Sequence, residues 1–92
     1  MMRRMGRAPK PQPGATERHI VAMLGEAIAA AGHGEQARVA RAAGMSAAQL
    51  SRCLSGQRLL TFTELRSVSL ALNLSLVGLV SEAEGRARTE SH

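Results

Sequence analysis

Aspartate, tryptophan and tyrosine are absent from this 92-residue sequence, and phenylalanine and cysteine occur once each. Without Asp, the Ser-His-Asp arrangement of many hydrolases cannot be formed. The single Cys excludes an internal disulfide, and we expect Cys53 to be a small core residue. It and the three His residues also lack the paired spacings of zinc modules, so we predict no metal site. With one aromatic residue the core must be aliphatic, which favours an all-α bundle over a sheet.

Long apolar runs are also missing from the chain. No run has the length needed to span a bilayer, and the basic N-terminus is followed by Pro and Gly instead of the apolar stretch of a signal peptide. We therefore expect a cytoplasmic protein. One domain of this size is too short for most enzymes that enclose a substrate, so we predict no enzymatic activity, no cofactor and no small-molecule ligand.

Positive charge is abundant, and it is concentrated at the N-terminus. The chain has 12 Lys and Arg against 7 acidic residues, a net charge of +5. This balance favours a polyanionic partner but does not choose between nucleic acid and an anionic membrane. Residues 1–14 hold all three Pro, four basic residues and no acidic one, which predicts a flexible arm.

Two interpretations of this arm stay open. In one, it reaches round DNA and places basic side chains on phosphates or in a narrow minor groove. In the other, it is a passive leader that aids solubility. The basic residues that would contact DNA in the first interpretation are Arg3, Arg4, Arg7 and Lys10.

Apolar spacing and capping signals predict a compact five-helix domain over residues 15–81. Helix 1 is predicted to begin with Thr16 as its N-cap and to end at the turn around His33. Helices 2 and 3 are predicted at about 35–43 and 47–54. The core face of helix 1 is predicted at Ile20, Leu24, Ala27, Ile28 and Ala31.

The signals continue into the last third of the chain. Thr61 and Glu64 predict a capping box at the start of helix 4, whose core face would include Phe62. Asn73 is a plausible left-handed residue at its end, and Ser75 caps a short helix 5. Residues 82–92 alternate in charge around a glycine and are predicted to form a flexible tail.

Residues 36–56 have the pattern of two short helices joined by a tight turn. Ala40 is small enough to let the two helices touch, and Gly44 can adopt the left-handed conformation that ends the first of them. Ser46 and Gln49 then form a capping box that starts the second. The apolar positions of this unit are Val39, Ala43, Met45, Leu50 and Cys53.

This unit resembles the helix-turn-helix of the lambda-repressor-like, Cro/CI-type (XRE) family. The resemblance rests on Ala40, on residues 44–46 and 50–52, and on Gly56-Gln57-Arg58. Residues 71–79 resemble the segment that closes the family's domain, so the similarity covers roughly residues 16–80. Two residues depart from the pattern: Leu54 stands where many members have Glu, and Leu60 where many have Pro. The resemblance implies a DNA-binding domain with helix 3 in the major groove.

The same resemblance implies which residues touch DNA. Sequence readers come from the exposed face of helix 3, and Arg52 is the strongest candidate because a guanidinium can pair with two acceptors of guanine. A phosphate contact or a solvated charge stays open for Arg52. The implied base-contacting residues are Ala47, Ala48, Ser51 and Arg52. The implied phosphate contacts, for which an ordinary solvated face is the alternative, are Gln36, Arg38, Arg41, Ser46, Gln49, Gln57 and Arg58.

We therefore interpret the sequence as a transcriptional regulator, in the manner of a phage or prophage repressor. One recognition helix reads about half a site, so we expect a homodimer on a pseudo-palindromic operator in double-stranded DNA. The residues expected in the dimer interface, unless they close the core of the monomer, are Leu76, Val77, Leu79 and Val80. The alternative is a protein-interaction module that keeps this fold and binds a toxin, a polymerase subunit or another regulator.

Overall fold

The structure, a computed structural model, describes residues 14–90, which form five α-helices and no strand. This confirms the predicted all-α class. Helices α2 and α3 match their predicted ranges to within one residue. The helices are α1 (Ala15–Ala31), α2 (Glu35–Ala42), α3 (Ala47–Leu54), α4 (Phe62–Ala71) and α5 (Leu76–Glu90).

Helix α1 begins earlier than predicted and has no side-chain cap. Gly14 is extended and precedes the first helical residue, and its carbonyl accepts the backbone N–H of Arg18 at 3.0 Å. Thr16 therefore lies in the first turn, and its assignment as N-cap is corrected. The buried face of α1 consists of Ile20, Leu24 and Ile28. Ala31, at the last position of the helix, is exposed instead.

The predicted caps of the later helices are confirmed. In α3, Gln49 N donates to Ser46 Oγ at 3.0 Å, and Ser46 N donates to Gln49 Oε1 at 2.9 Å. The same reciprocal pair joins Thr61 and Glu64 at the start of α4. Ser75 Oγ accepts the N–H of Gly78 at 3.1 Å in α5. Each cap satisfies backbone groups that a helix leaves without an internal partner, so the starts of these helices are fixed locally.

Three of the helices end in the same way. Gly44, Gly56 and Asn73 have φ angles of 74°, 85° and 59° after α2, α3 and α4. After α2, Met45 N donates to Ala40 O at 2.9 Å, and Gly44 N donates to Arg41 O at 3.1 Å. These two bonds form a Schellman motif, which requires a left-handed residue and reverses the chain within a few residues. The predicted left-handed roles of Gly44 and Asn73 are confirmed.

Helix α5 extends to Glu90, so the prediction of a flexible tail from residue 82 is corrected for residues 82–90. Ala83 and Ala87 are buried, and α1 is the principal neighbour of α5. Their spacing of four residues forms a stripe of small side chains that lets the two helices pack closely. The alternating charges lie on the other side, where Arg86 Nη2 is 2.8 Å from Glu82 Oε2. The sequence pattern showed these charges, but it did not show that α1 would pack against the other side of the segment.

The core is aliphatic, as predicted, and it joins all five helices. The side chains with no more than 7% exposure in its central cluster are Ile20, Leu24, Ile28, Val39, Ala40, Met45, Leu50, Cys53, Val68, Leu79 and Ala83. Phe62 is an exception to prediction, because 70% of it is exposed. Phe62 is the first residue of α4, and the buried residues of this helix, Val68 and Ser69, lie nearer its other end.

Within residues 14–90, no single helix has both the length and the hydropathy of a membrane span. In the part of the chain that the structure describes, α4 and α5 taken together, as a pair bent by 108°, reach that length and composition.

Candidate nucleic-acid interface

Helices α2 and α3 are held against each other by buried side chains and by one hydrogen bond. Val39 and Ala40 of α2 and Leu50 of α3 have no exposed surface. Gln36 Nε2, at the amino end of α2, donates to the carbonyl of Ala47 at 3.5 Å. This bond joins the amino ends of the two helices, so Gln36, which was expected to contact a phosphate, also braces α3.

The outer face of α3 is open to solvent along its whole length. Ala47, Ala48, Ser51 and Arg52 are all exposed, whereas Leu50 and Cys53 on the opposite face are fully buried. Within residues 14–90, the Arg52 guanidinium has no carboxylate within ion-pair distance. A guanidinium without an internal partner can offer all of its donors to a ligand. The predicted face of α3 is therefore available, and contact with DNA stays a prediction.

Two of the predicted phosphate contacts are also the capping residues of α3. The oxygen atoms of Ser46 and Gln49 accept backbone N–H groups in the capping box. The Ser46 hydroxyl hydrogen and the Gln49 amide N–H groups are left to donate outward, which is the polarity that a phosphate requires. Arg41 on α2 and Gln57 in the loop after α3 are also exposed.

Arg38 has partners inside the protein. Its Nε donates to Glu35 Oε1 at 2.9 Å, its Nη2 pairs with Glu35 Oε2, and Nη2 also donates to the carbonyl of Ala71 at 2.8 Å. The Arg38 hydrogen bond lowers the pKa of Glu35. Arg38 thus ties α2 to the last residue of α4. This internal role was not visible in the sequence, because Ala71 is 33 residues away.

Arg58 also has partners inside the protein, and its side chain is less exposed than that of Arg38. Its guanidinium donates to both carboxylate oxygens of Glu64, at 3.1 and 2.8 Å, and Nη1 lies 3.0 Å from Cys53 Sγ. The pKa of Arg58 is raised mainly by Glu64 and then by Cys53. The pKa of Glu64 is lowered, first by Arg58 and then by the backbone N–H of Thr61. The structure therefore gives Arg58 a role in holding the α3–α4 loop, and its phosphate contact stays a prediction.

The predicted dimer residues fall into two groups. Leu79 is 5% exposed and belongs to the core, which corrects its assignment to a protein interface. Val77 is 80% exposed, and Leu76 and Val80 are partly buried. Helical geometry explains the division, because α5 turns one side towards α1 and residues two apart point in different directions. The predicted arm contacts at residues 3, 4, 7 and 10 lie outside the described residues.

No three His, Cys, Asp or Glu side chains among residues 14–90 come together as metal ligands would. Cys53 is fully buried, as its predicted role in the core requires.

Comparison of the chain with protein-family models, with curated proteins and with solved structures gives no match.

Proposed function

We propose that this chain is a sequence-specific DNA-binding regulator of the lambda-repressor-like type, with α3 as its recognition helix. The observation that carries the proposal is the exposed outer face of α3. It presents an arginine without an internal ion pair on a helix whose start is fixed by a complete capping box. A rigid helix with a free guanidinium on its outer side is what reading of the major groove requires.

The arrangement of charge supports nucleic acid as the partner. Arg41 and Arg52 are exposed on α2 and α3, and no acidic side chain within residues 14–90 forms an ion pair with them. Arg38 and Arg58 instead form ion pairs with Glu35 and Glu64. The inferred phosphate contacts are therefore fewer than the sequence suggested, with Arg41, Gln57, Ser46 and Gln49 as the principal ones. Gln36 can join them through the amide N–H that its bond to Ala47 leaves over. A shorter set of phosphate contacts gives a shallower dependence of affinity on salt.

The inferred base readers have distinct chemistry. Ala47 and Ala48 offer methyl groups, which favour contact with the methyl of thymine. Arg52 offers two parallel donors to O6 and N7 of guanine, a contact worth about 1–3 kcal/mol of discrimination. We infer a homodimer on a pseudo-palindromic operator that represses by occupying promoter DNA in the cytoplasm.

Fluorescence anisotropy tests this function directly. The full chain is titrated into the duplex upstream of its own gene and into a scrambled duplex, each at several salt concentrations. The expected result is tighter binding to the native duplex, with affinity that falls as salt rises. Arg52→Ala is expected to lose discrimination between the duplexes, while Arg88→Ala, a matched change at an exposed arginine of α5, keeps it.

Two outcomes would count against the proposal. Equal, salt-sensitive binding to both duplexes would indicate a non-specific DNA-binding protein. Absence of binding to either duplex, with the chain folded, would favour the protein-interaction module.

A further inference from the structure

A cavity of about 180 Å³ lies between the first half of α1, the last turn of α3, the α3–α4 loop and α4. Its floor is buried, because Ile20 is 7% exposed and Cys53 has no exposed surface. Glu17 and Leu59 are exposed, so the cavity opens to solvent on their side. The apolar side chains that line it are Ile20, Val21, Cys53, Leu59, Leu60 and Leu65.

The size and lining of this cavity suit a short hydrocarbon chain. Apolar cavities of about 150 Å³ lined by aliphatic side chains bind a molecule as large as benzene. At about 180 Å³, this cavity has room for a group of about six carbon atoms. Removal of each methylene group of such a chain from water favours binding.

Two charged side chains line the same cavity, and they differ in their partners. Arg58 donates to both carboxylate oxygens of Glu64, at 3.1 and 2.8 Å, so its charge is balanced inside the protein. Arg18, beside a neighbouring hollow of α1, is 3.5 Å from Glu90 Oε1. Glu17 forms no ion pair within residues 14–90. The open edge of the cavity therefore has one negative charge without a counter-ion.

The carboxylate and the apolar wall share one face of α1. Glu17 precedes Ile20 by three residues and Val21 by four, and helical geometry places side chains with these spacings next to each other. All three line the cavity. A ligand whose chain contacts Ile20 and Val21 thus has its end close to the carboxylate of Glu17.

We propose that this cavity binds a small primary amine with an aliphatic chain of about six carbon atoms, in its ammonium form. The chain lies among the apolar side chains, and the ammonium group faces Glu17 at the open edge. An acid of the same length places a carboxylate beside Glu17, and like charges facing each other cost affinity. An alcohol of that length gains the burial of its chain without the ion pair.

The proposal departs from the expectation, based on the sequence, that the chain has no small-molecule ligand. The cavity was not visible in the sequence, because its walls come from three helices and a loop that only the folded chain brings together. Its wall includes Cys53 and Arg58, whose Nη1 lies 3.0 Å from Cys53 Sγ. A bound amine therefore contacts the segment that holds the end of α3, and it should stabilise the folded chain.

Amide NMR titration of the full chain at pH 7 tests the proposal with three probes, hexylamine, 1-hexanol and hexanoate. The probes share a six-carbon chain and differ in charge. We expect hexylamine to bind with a dissociation constant on the order of 1 mM and to shift the amide signals of Val21 and Leu60. Hexanol should bind about two- to fivefold more weakly, the factor expected for one exposed ion pair, and hexanoate more weakly still.

Variants separate the charge from the apolar wall. Glu17→Gln should remove the preference for the amine over the alcohol while hexanol binds as before, whereas Glu26→Gln, at an exposed position of the same helix, keeps the preference. Val21→Phe should fill the cavity and weaken all three probes, and Ala29→Phe, at an exposed position of α1, should not. Circular dichroism of each variant checks that the helices are intact.

The proposal is overturned if about 20 mM hexylamine leaves the signals of the cavity residues unshifted, since that concentration is well above the expected dissociation constant. It is equally overturned if hexanol or hexanoate binds as tightly as hexylamine, or if Glu17→Gln keeps the preference for the amine. These titrations contain no DNA. Their failure leaves the proposed regulator standing, and failure of DNA binding leaves the amine site standing.

Discussion

The guanidinium of Arg58 and the carboxylate of Glu64 form a pair of hydrogen bonds, at 3.1 and 2.8 Å, across the loop that joins α3 to α4. Glu64 is at the same time the acidic member of the capping box that starts α4. One carboxylate thus fixes the beginning of α4 and the path of the chain out of the proposed recognition helix. The contact of Arg58 with Cys53 Sγ extends this link to the last turn of α3.

Replacing Arg58 by Ala should lower the midpoint of urea unfolding. The change removes both bonds to the carboxylate of Glu64, which is only 19% exposed and would lose its charged partner. Arg41→Ala is the matched control, because Arg41 is exposed and has no ion pair within residues 14–90; it should change stability by no more than about 0.5 kcal/mol. Equal midpoints for the two variants would show that the Arg58 pair does not stabilise the fold.

The pair also predicts a dependence of stability on pH. The pKa of Glu64 in the folded chain lies below its ordinary value of 4.5, chiefly because Arg58 donates to it. The stabilisation is therefore present above pH 4.5 and is lost as the pH falls below that value, through the folded-state pKa. Urea unfolding of the wild type and of Glu64→Gln, which keeps an oxygen for the cap, should differ at pH 7, and the difference should shrink as the pH falls below 4.5 towards the folded-state pKa of Glu64. A constant difference would assign the effect to another group.

Two glycines should respond to alanine in opposite directions. Gly44 has a φ of 74°, so Gly44→Ala should destabilise the fold by about 1–2 kcal/mol through backbone strain. A Cβ at this position would meet nothing within 4 Å, which excludes a steric clash as the cause. Gly25, inside α1, is equally open, and Gly25→Ala should stabilise by about 0.5–1 kcal/mol. Thermal unfolding of both variants checks the pair, and a stabilised Gly44→Ala variant would contradict the left-handed turn.

The packing of α5 on α1 can be tested at two positions of α5 that are two residues apart. Ala83 has no exposed surface, and Ser81 is exposed. Ala83→Glu would force a carboxylate between the two helices and should destabilise the fold by several kcal/mol. Ser81→Glu should stay within about 0.5 kcal/mol of the wild type. Similar urea midpoints for the two variants would mean that residues beyond 81 do not pack on α1 in solution.

Much of the secondary structure was predictable because its signals are local. The capping boxes at Ser46 and Thr61 each depend on two side chains three residues apart, and both formed as the sequence predicted. Gly44 and Asn73 ended their helices for an equally local reason, the ease with which these residues adopt positive φ. The exposed face of α3 followed from the spacing of its apolar residues, and its contact with DNA stays a prediction.

Other features depended on neighbours distant in the chain, and tertiary structure decided them. The charge pattern after Ser81 favoured a frayed tail, but α1 supplied a surface for Ala83 and Ala87 and made the segment a helix. Arg38 and Arg58 had the charge of DNA-binding residues, and only the folded chain showed the acceptors that occupy them. Capping and turn formation involve a few adjacent residues, so the sequence by itself determined them. The partner of an arginine or the covered face of a helix depends on how whole helices pack, which only the tertiary structure decides.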